Sequence, residues 1–339
     1  MTWNYLGNAW AVDLLRSHII NNEVRHAYLF CGPSGIGRRT LALQFAQALN
    51  CQNPPKPGEF CGECRTCRQI AKMQHTDLFI SQSDAPGGIL KIESIREIQH
   101  QLEMLPYDSK MRIGLLLRFE EANVNAQNAL LKTLEEPPET SRLFLTSSTD
   151  NAVLPTIASR CEILRLRPMP FQELETALKG KKEISDNQIK RIAHLSCGRP
   201  GYALQLIEKP DEIERIYGLA REGIELMGAN RRERFKFASG FKDIKKRAEV
   251  KEILQIWQSL FRDMMLLSAN KKTIAEKNFQ PETFLDLESE MNQITNKVPM
   301  IDFQKMLFEI NLMLDYLDAN VNLQLLMETI LLDWPVVQI

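Results

Sequence analysis

The sequence lacks any apolar run of the roughly 18 residues that a membrane-spanning helix requires. Residues 1–10 also lack the basic and then apolar order of a secretory signal. The sequence also has no excess of positive or negative charge: it contains 42 Lys and Arg residues and 43 Asp and Glu residues, and its formal net charge is -1. General electrostatic attraction to DNA or to a membrane surface is therefore not expected. We expect a soluble cytoplasmic protein.

Cysteine is sparse, with seven cysteines in 339 residues. In a cytoplasmic protein such cysteines are free thiols or metal ligands more often than disulfides. Hydrophobic residues make up 44% and charged residues 25% of the chain, which is typical of a globular protein. The length suffices for two or three domains with cores of their own.

A glycine-rich segment, CGPSGIGRRT at residues 31–40, has the glycine spacing of a phosphate-binding loop, G-x-x-x-x-G-K-[ST]. In that pattern backbone N–H groups surround the phosphates, the lysine reaches the β- and γ-phosphates, and the hydroxyl binds Mg²⁺. Arg38 stands at the lysine position and Arg39 at the hydroxyl position. Thr40 lies about 100° further around a helix and should not reach the same ion. The candidate nucleotide-binding residues are Gly32, Gly35, Gly37, Arg38, Arg39 and Thr40.

The segments on either side of this loop support a nucleotide-binding fold. Residues 26–31 form a short apolar run typical of a buried strand, and residues 40–50 carry apolar side chains at helical spacing. The strand, the glycine loop and the helix follow one another in the order that a phosphate-binding fold requires. The alternative, a glycine-rich turn that arose by chance, would not be expected to have this order around it. The two replacements predict weak or absent nucleotide binding.

The acid pair of a P-loop ATPase is missing from its usual place at the end of a later strand. One acid holds Mg²⁺ and the other polarises the attacking water. The strand predicted at 110–119 has Leu117 and Arg118 at those positions, and carboxylates follow only at Glu120 and Glu121. A register shift would let Glu120 or Glu121 act instead. Otherwise both are solvated acids at a helix start, which the helix dipole favours.

Four of the seven cysteines, Cys51, Cys61, Cys64 and Cys67, fall within seventeen positions. Three of them have C-x-x-C-x-x-C spacing, which lets thiolates turn onto one ion, and prolines stiffen the connection from Cys51. We expect a structural zinc site, since four cysteines leave no open coordination position. An iron–sulfur cluster, redox use of a C-x-x-C pair and four unrelated buried thiols are the alternatives.

Further strands are predicted at 75–80, 142–148 and 161–166, and helices at 89–105, 125–136 and 154–160. Strands that alternate with helices predict a parallel sheet with helices on both faces. Thr146, Ser147 and Ser148 form a polar strand end where a nucleotide-sensing hydroxyl could lie.

Pro168 and Pro170 mark a boundary after the last predicted strand, and the pattern beyond them is helical. One terminal helix is predicted at 312–332, with apolar residues at the spacing of helix–helix packing. A basic stretch in this helical region could contact DNA or an acidic partner. Acidic residues are interspersed in it, so we expect a solvated helix face instead. That stretch consists of Arg231, Arg232, Arg234, Lys236, Lys242, Lys245, Lys246, Arg247 and Lys251.

Several segments together resemble one family, the AAA+ clamp-loader subunits of bacterial DNA polymerase III. They are HAYLFCGPSGIGRRTLA at 26–42, the four-cysteine insert, NALLKTLEEPP at 128–138, LPTIASRC at 154–161 and ANVNLQLLMETILLDWP at 319–335. The resemblance covers essentially the whole chain. It implies an α/β AAA+ P-loop domain at 1–168 with a zinc insert at 51–67. A small helical lid at 169–208 and an all-α collar at 209–339, which joins subunits in a ring, would follow.

The same resemblance implies roles for individual residues. Within Ser159-Arg160-Cys161, Arg160 would be an arginine finger that acts on ATP bound by a neighbouring subunit. Such a guanidinium neutralises charge on the transferred phosphoryl group. The sensor region reads GRPGYAL at 198–204, and Tyr202 stands where the family has its sensing arginine, with Arg199 three residues earlier. Without the resemblance, Arg160 would be assigned to a surface salt bridge.

Departures in the loop, the acid pair and the sensor arginine agree on a subunit without intrinsic ATPase activity. Its implied partners are the gamma/tau and delta subunits, and the assembly would contact the sliding clamp and primed DNA. An active gamma/tau-type ATPase, in which Arg38 replaces the lysine, is the alternative. A third hypothesis is a zinc-stabilised nucleic-acid-binding module. The near-neutral charge and the lack of interleaved aromatic and basic residues disfavour it.

Overall fold

The computed structural model describes residues 3–179, 184–270, 283–317 and 321–337. The chain divides into two compact units. The first consists of Met1–Ala177 with Gly198–Tyr202, and the second of Leu178–Cys197 with Ala203–Ile339.

The first unit is built on a five-stranded sheet in the order β2-β3-β4-β1-β5, in which every neighbouring pair is parallel. Parallel neighbours need crossover connections, so helices link the strands and cover both faces. The strands are β1 Ala27–Cys31, β2 Leu78–Ser81, β3 Arg112–Leu116, β4 Ser141–Ser147 and β5 Glu162–Arg165.

Two apolar layers cover this sheet, one on each face. Because side chains alternate along a strand, Tyr28 and Phe30 of β1 point to one layer and Leu29 to the other. Phe45 and Phe144 stack in the first layer, with ring centroids 5.1 Å apart. The helices of this part are α1 Ala9–Ile20, α2 Arg38–Asn50, α3 Arg65–Ala71, α4 Ile92–Leu102, α5 Val124–Ala129, α6 Leu131–Glu135 and α7 Pro155–Ala158.

All regular elements among the described residues of the second unit are helices. Trp257 and Trp334 lie at its core with ring centroids 4.6 Å apart, and both indoles are almost completely buried. Next along the chain come α8 Phe171–Leu178, α9 Asp186–Leu195, α10 Pro200–Glu208, α11 Pro210–Gly228, α12 Arg231–Ala238, α13 Arg247–Asn270, α14 Glu288–Thr295, α15 Met300–Leu317 and α16 Leu323–Leu332. Helices α8 and α10 include residues of both units.

The predicted fold class is confirmed in the described residues: an α/β domain with a parallel sheet precedes an all-α region. The division into domain, lid and collar at residues 168 and 208 stays a prediction. The single terminal helix predicted at 312–332 is wrong, because α16 begins anew after Asn322, whose side chain accepts a hydrogen bond from Leu325 N–H. No helix within the described ranges combines the length and apolar character needed to span a membrane.

Candidate functional site

The glycine loop joins the end of β1 to the start of α2, as the sequence predicts. Gly35 and Gly37 have φ angles of 81° and 105°, which residues with a side chain rarely adopt. A Cβ atom at Gly32 would lie 2.9 Å from the carbonyl oxygen of Leu166. The three glycines are therefore required by the backbone path and by close packing around it.

Two tyrosines pack directly against this loop. A Cβ at Gly35 would lie 2.7 Å from the Cβ of Tyr202, whose backbone N–H donates to the Gly35 carbonyl at 3.1 Å. The Tyr5 ring covers Gly37, and its hydroxyl donates to the Ile36 carbonyl at 3.1 Å. Burial raises the pKa of Tyr5, so the hydroxyl stays protonated and keeps this bond. The sequence pointed to Tyr202, but nothing in it singled out Tyr5.

Arg199 contacts the loop from the sensor region. Its guanidinium carbon lies 4.7 Å from the centroid of the Tyr202 ring, and Nη1 donates to the Ser34 carbonyl at 3.3 Å. The Arg199 guanidinium thus binds loop backbone, and the correspondence of Tyr202 to the family's sensing arginine stays a prediction.

Arg38, at the lysine position, faces a carboxylate of the same chain. Its Nη1 lies 3.7 Å from Oε1 of Glu120, and these side chains are only 12% and 21% exposed. The same Oε1 accepts the backbone N–H of Ser148 at 3.0 Å. Burial lowers the pKa of Arg38, and Glu120 partly offsets this shift. Arg39 and Thr40 are exposed, and the expectation that Thr40 does not replace the missing hydroxyl stays a prediction.

The two acid positions hold groups that cannot bind a cation. Leu117 is buried, and Arg118 donates through Nε to both carboxylate oxygens of Glu121, at 3.0 and 2.9 Å. Glu121 also accepts from the Gly87 N–H at 2.7 Å and from the Ser83 hydroxyl. Glu121 therefore anchors the loop after β2. A register shift would let either Glu120 or Glu121 act as the ATPase acid, and of these two only Glu120 lies beside Arg38 of the glycine loop in the described structure.

The polar end of β4 is engaged in local bonds. Thr146 Oγ1 accepts the Arg118 N–H at 2.9 Å, and the Ser147 hydroxyl donates to the Thr149 carbonyl at 2.7 Å. The carbonyls of Ser147 and Ser148 both accept the N–H of Gly32 at 3.1 Å. The strand end thus supports the loop backbone, and a sensing role for its hydroxyls stays a prediction.

The four predicted cysteines converge on one point. The Sγ atoms of Cys51, Cys61, Cys64 and Cys67 all lie within 4.8 Å of one another. The Cys51–Cys61 and Cys61–Cys67 sulfur distances are 3.6 and 4.0 Å. Sulfurs bound tetrahedrally to one zinc at about 2.3 Å would lie about 3.8 Å apart. The cluster could therefore hold a single metal ion, as the spacing predicts.

Local backbone groups favour a thiolate at Cys61, whereas burial raises the pKa of Cys51 and of Cys67. The N–H groups of Cys61, Cys64 and Cys67 point to the sulfurs of Cys51, Cys61 and Cys64 at 3.3, 3.3 and 3.4 Å. Burial alone would raise the pKa of Cys61. The N–H groups of Cys64 and Glu63 and the neighbouring thiols outweigh it, and the pKa of Cys61 falls to about 6.

Arg160 lies at the surface, shortly after the end of α7. Its Nη2 donates to Glu135 Oε1 at 2.9 Å, and its Nη1 donates to the Thr156 carbonyl at 2.8 Å. The two charged side chains are 37% and 53% exposed. An exposed pair of this kind contributes about 0–1 kcal/mol, so it can open at little cost. The sequence did not single out Glu135.

Known proteins resemble this chain along most of its length. The family model described as DNA polymerase III, delta subunit, matches residues 7–170. Subunit delta' of DNA polymerase III from Pseudomonas aeruginosa is 35% identical over 183 residues, 53% of this chain and 55% of that protein. Subunit delta' from Bacillus subtilis is 26% identical over 326 residues, 95% of this chain and 94% of that protein. The chain is similar to delta' subunits of DNA polymerase III.

A subunit named tau matches as well. Subunit tau of DNA polymerase III from Bacillus subtilis is 27% identical over 209 residues, 60% of this chain and 36% of that protein. The chain thus spans about half of the Pseudomonas delta' subunit and about a third of tau, but nearly all of the Bacillus delta' subunit. The residues matched to the delta family model include the glycine loop, the four cysteines and Arg160.

Proposed function

We propose that this chain is a non-hydrolysing subunit of the clamp loader of DNA polymerase III, which loads the sliding clamp onto primed DNA. The observation that carries this proposal is the charge arrangement at the glycine loop. Arg38 faces Glu120 where a lysine would face phosphate, and Leu117 and Arg118 stand where two carboxylates would hold and use Mg²⁺. Cytoplasmic location belongs to the same proposal.

The chain would still act in ATP hydrolysis through Arg160. An arginine supplied by one subunit to a neighbour's nucleotide stabilises the charge of the transition state, and it is worth roughly 10³–10⁵ in rate at the site it completes. Partial exposure of Arg160 and its weak surface pair with Glu135 support this role, since the guanidinium can leave the pair at small cost. The proposed partners are gamma/tau and delta subunits, and the assembly contacts clamp and DNA.

The two other proposed features are structural. The four-cysteine cluster would hold zinc and fix the segment between α2 and α3. The helices beyond residue 209 would form a collar between subunits. Exposed apolar side chains on α15 and α16, among them Phe308 and Leu325, support this role.

The test is ATP turnover by the complex reconstituted with gamma/tau and delta subunits. Arg160→Ala should leave this chain folded and bound but lower turnover, with the largest loss at the neighbouring site. Arg25→Ala is the matched control, because Arg25 is exposed and pairs with Glu162 at 4.0 Å. Unchanged turnover with Arg160→Ala would remove the finger assignment, and turnover by the wild-type chain alone would remove the non-hydrolysing assignment.

A second candidate function is an active gamma/tau-type ATPase. The proximity of Glu120 to Arg38 favours it, since a carboxylate does lie beside the loop. In that case the isolated chain hydrolyses ATP, and both Arg38→Ala and Glu120→Gln abolish the activity.

A further inference from the structure

Beside the glycine loop, the protein itself supplies the negative charge that the phosphates of a nucleotide would otherwise bring to Arg38. Phosphate-binding loops are cationic and receive anions, and the guanidinium of Arg38 keeps that character here. The carboxylate of Glu120 lies 3.7 Å from it, and both side chains are largely withdrawn from water. A partly buried pair at this distance is screened much less than a pair in solvent.

We propose that Glu120 is an internal counter-ion that excludes nucleoside triphosphates from the glycine loop by holding Arg38. Removing its charge would then turn the loop into a triphosphate-binding site. This inference rests on the proposed function, in which the wild-type loop does not turn over ATP, and it names the residue that sets this property.

The geometry singles out Glu120 rather than its neighbour. Both oxygens of Glu121 are taken by Arg118, Ser83 and Gly87, which fixes it to the loop after β2. Glu120 has a fixed orientation too, since Oε1 accepts the Ser148 N–H, but its Oε2 has no hydrogen-bond partner among the described residues. Glu120 is thus the carboxylate aimed at the lysine position.

Arg38 has spare donor capacity on the same side. Its Nη1 is buried and makes no hydrogen bond within the described part of the chain, because 3.7 Å to Glu120 exceeds hydrogen-bond distance. The pair therefore satisfies charge but not hydrogen bonding. A phosphate oxygen would satisfy both, so the guanidinium remains chemically suited to a phosphate once Glu120 is neutral.

The change in charge predicts a measurable gain in binding. Wild-type Glu120 repels an incoming triphosphate and competes for Arg38, and Glu120→Gln removes both effects while its amide oxygen still accepts the Ser148 N–H. We expect the dissociation constant for MgATP and for inorganic triphosphate to fall by about tenfold or more. The second carboxylate, Glu121, stays paired with Arg118 and does not replace Glu120 beside Arg38.

The experiment titrates MgATP and inorganic triphosphate into the full-length chain by calorimetry, without partner subunits. Glu120→Gln should bind both ligands more tightly than wild type, whereas Glu120→Asp, which keeps the charge, should not. The double variant Arg38→Gln with Glu120→Gln should lose the gain, since Arg38 provides it. Glu136→Gln, an exposed glutamate of the same unit, controls for net charge.

The outcomes separate this inference from the proposed function. A folded Glu120→Gln that gains no affinity, or an equal gain with Glu136→Gln, overturns the role of Glu120 and leaves the non-hydrolysing assignment intact. If Glu120→Gln does not fold, Glu120→Ala in the same titration gives the same reading. Wild-type ATP turnover that Glu120→Gln abolishes would make Glu120 a catalytic acid and would overturn both.

Discussion

At the scale of single residues, Arg234 is a buried arginine without a carboxylate partner among the described residues. It is 2% exposed, and its guanidinium donates only to backbone carbonyls. The acceptors are Leu226, Met227, Leu331, Trp334 and Pro335. They lie near the ends of α11 and α16, where helix dipoles present negative partial charge. Arg234 therefore fastens the chain after α16 to α11.

Arg234→Ala should destabilise the second unit strongly, because it removes five hydrogen bonds and leaves buried carbonyls unpaired. We expect a loss of more than about 2 kcal/mol in the free energy of unfolding. Urea denaturation, followed by the fluorescence of the core tryptophans, measures it. Arg232→Ala on the exposed side of the same helix should change stability by less than about 0.5 kcal/mol. Equal effects of the two substitutions would contradict this account.

The sequence could not separate Arg234 from its neighbours. The prediction of a solvated basic face is wrong at this position, since Arg234 is buried while Arg231 and Arg232 are exposed. The reason is physical: two of its acceptors, Leu331 and Trp334, come 97 and 100 residues later. Local charge pattern contains no information on such acceptors.

At the scale of elements, the cysteine cluster joins the end of α2 to the start of α3. Cys51 follows α2 directly, Cys64 caps α3, and Cys67 lies in its first turn. A seven-residue helix such as α3 has little stability of its own. Metal bound to these thiolates would supply folding free energy here, in the range of about 10–16 kcal/mol of apparent binding energy for structural zinc.

Removal of metal should therefore lower the melting temperature of the first unit and leave that of the second unchanged. The chain as purified should contain one zinc per molecule, and Cys61→Ser should reduce that content and lower the same transition. Calorimetry together with metal analysis measures both quantities. Cys161→Ser, outside the cluster, should keep the zinc. An unchanged transition after verified metal loss would contradict a structural role, and bound iron with sulfide would favour a cluster instead.

Most elements of the first unit follow from local pattern. The strand, glycine loop and helix at residues 27–50 lie where apolar runs and glycines predict them. The cysteine spacing predicted a convergence that the sulfur positions confirm. The prediction of one terminal helix was wrong because the apolar repeat continues through Asn322. The repeat contains no information on the capping hydrogen bond that starts α16 there.

At the scale of the whole molecule, the functional interpretation depends on which charges meet. The sequence identified Arg38, Leu117 and Arg118 as departures from an ATPase. It did not predict that Glu120 would face Arg38 or that Glu135 would hold Arg160, because these pairs join separate elements. The comparisons show similarity to delta' subunits. The roles of individual residues rest on contacts and remain proposals.

The collar proposal makes the last prediction, because helix α15 carries large apolar side chains that its own unit leaves exposed. Phe308 is 66% exposed, and Ile301 and Tyr316 are exposed at spacings of seven and eight residues, so all three share one face. If this face packs against gamma/tau or delta subunits, burying it supplies association energy at about 25 cal/mol per Å² of apolar surface. Phe308→Asp would place a charge in that interface.

Phe308→Asp should leave the monomer folded, since the side chain contributes little to its own core. It should weaken co-elution with gamma/tau and delta subunits in size-exclusion chromatography, with a dissociation constant raised at least about tenfold. Leu105→Asp is the matched control, because Leu105 is equally apolar and exposed but belongs to the first unit. Full assembly with Phe308→Asp would exclude this face from the interface. If both variants lose co-elution, assembly is sensitive to a charge at any exposed apolar position, and α15 has no specific role in the interface.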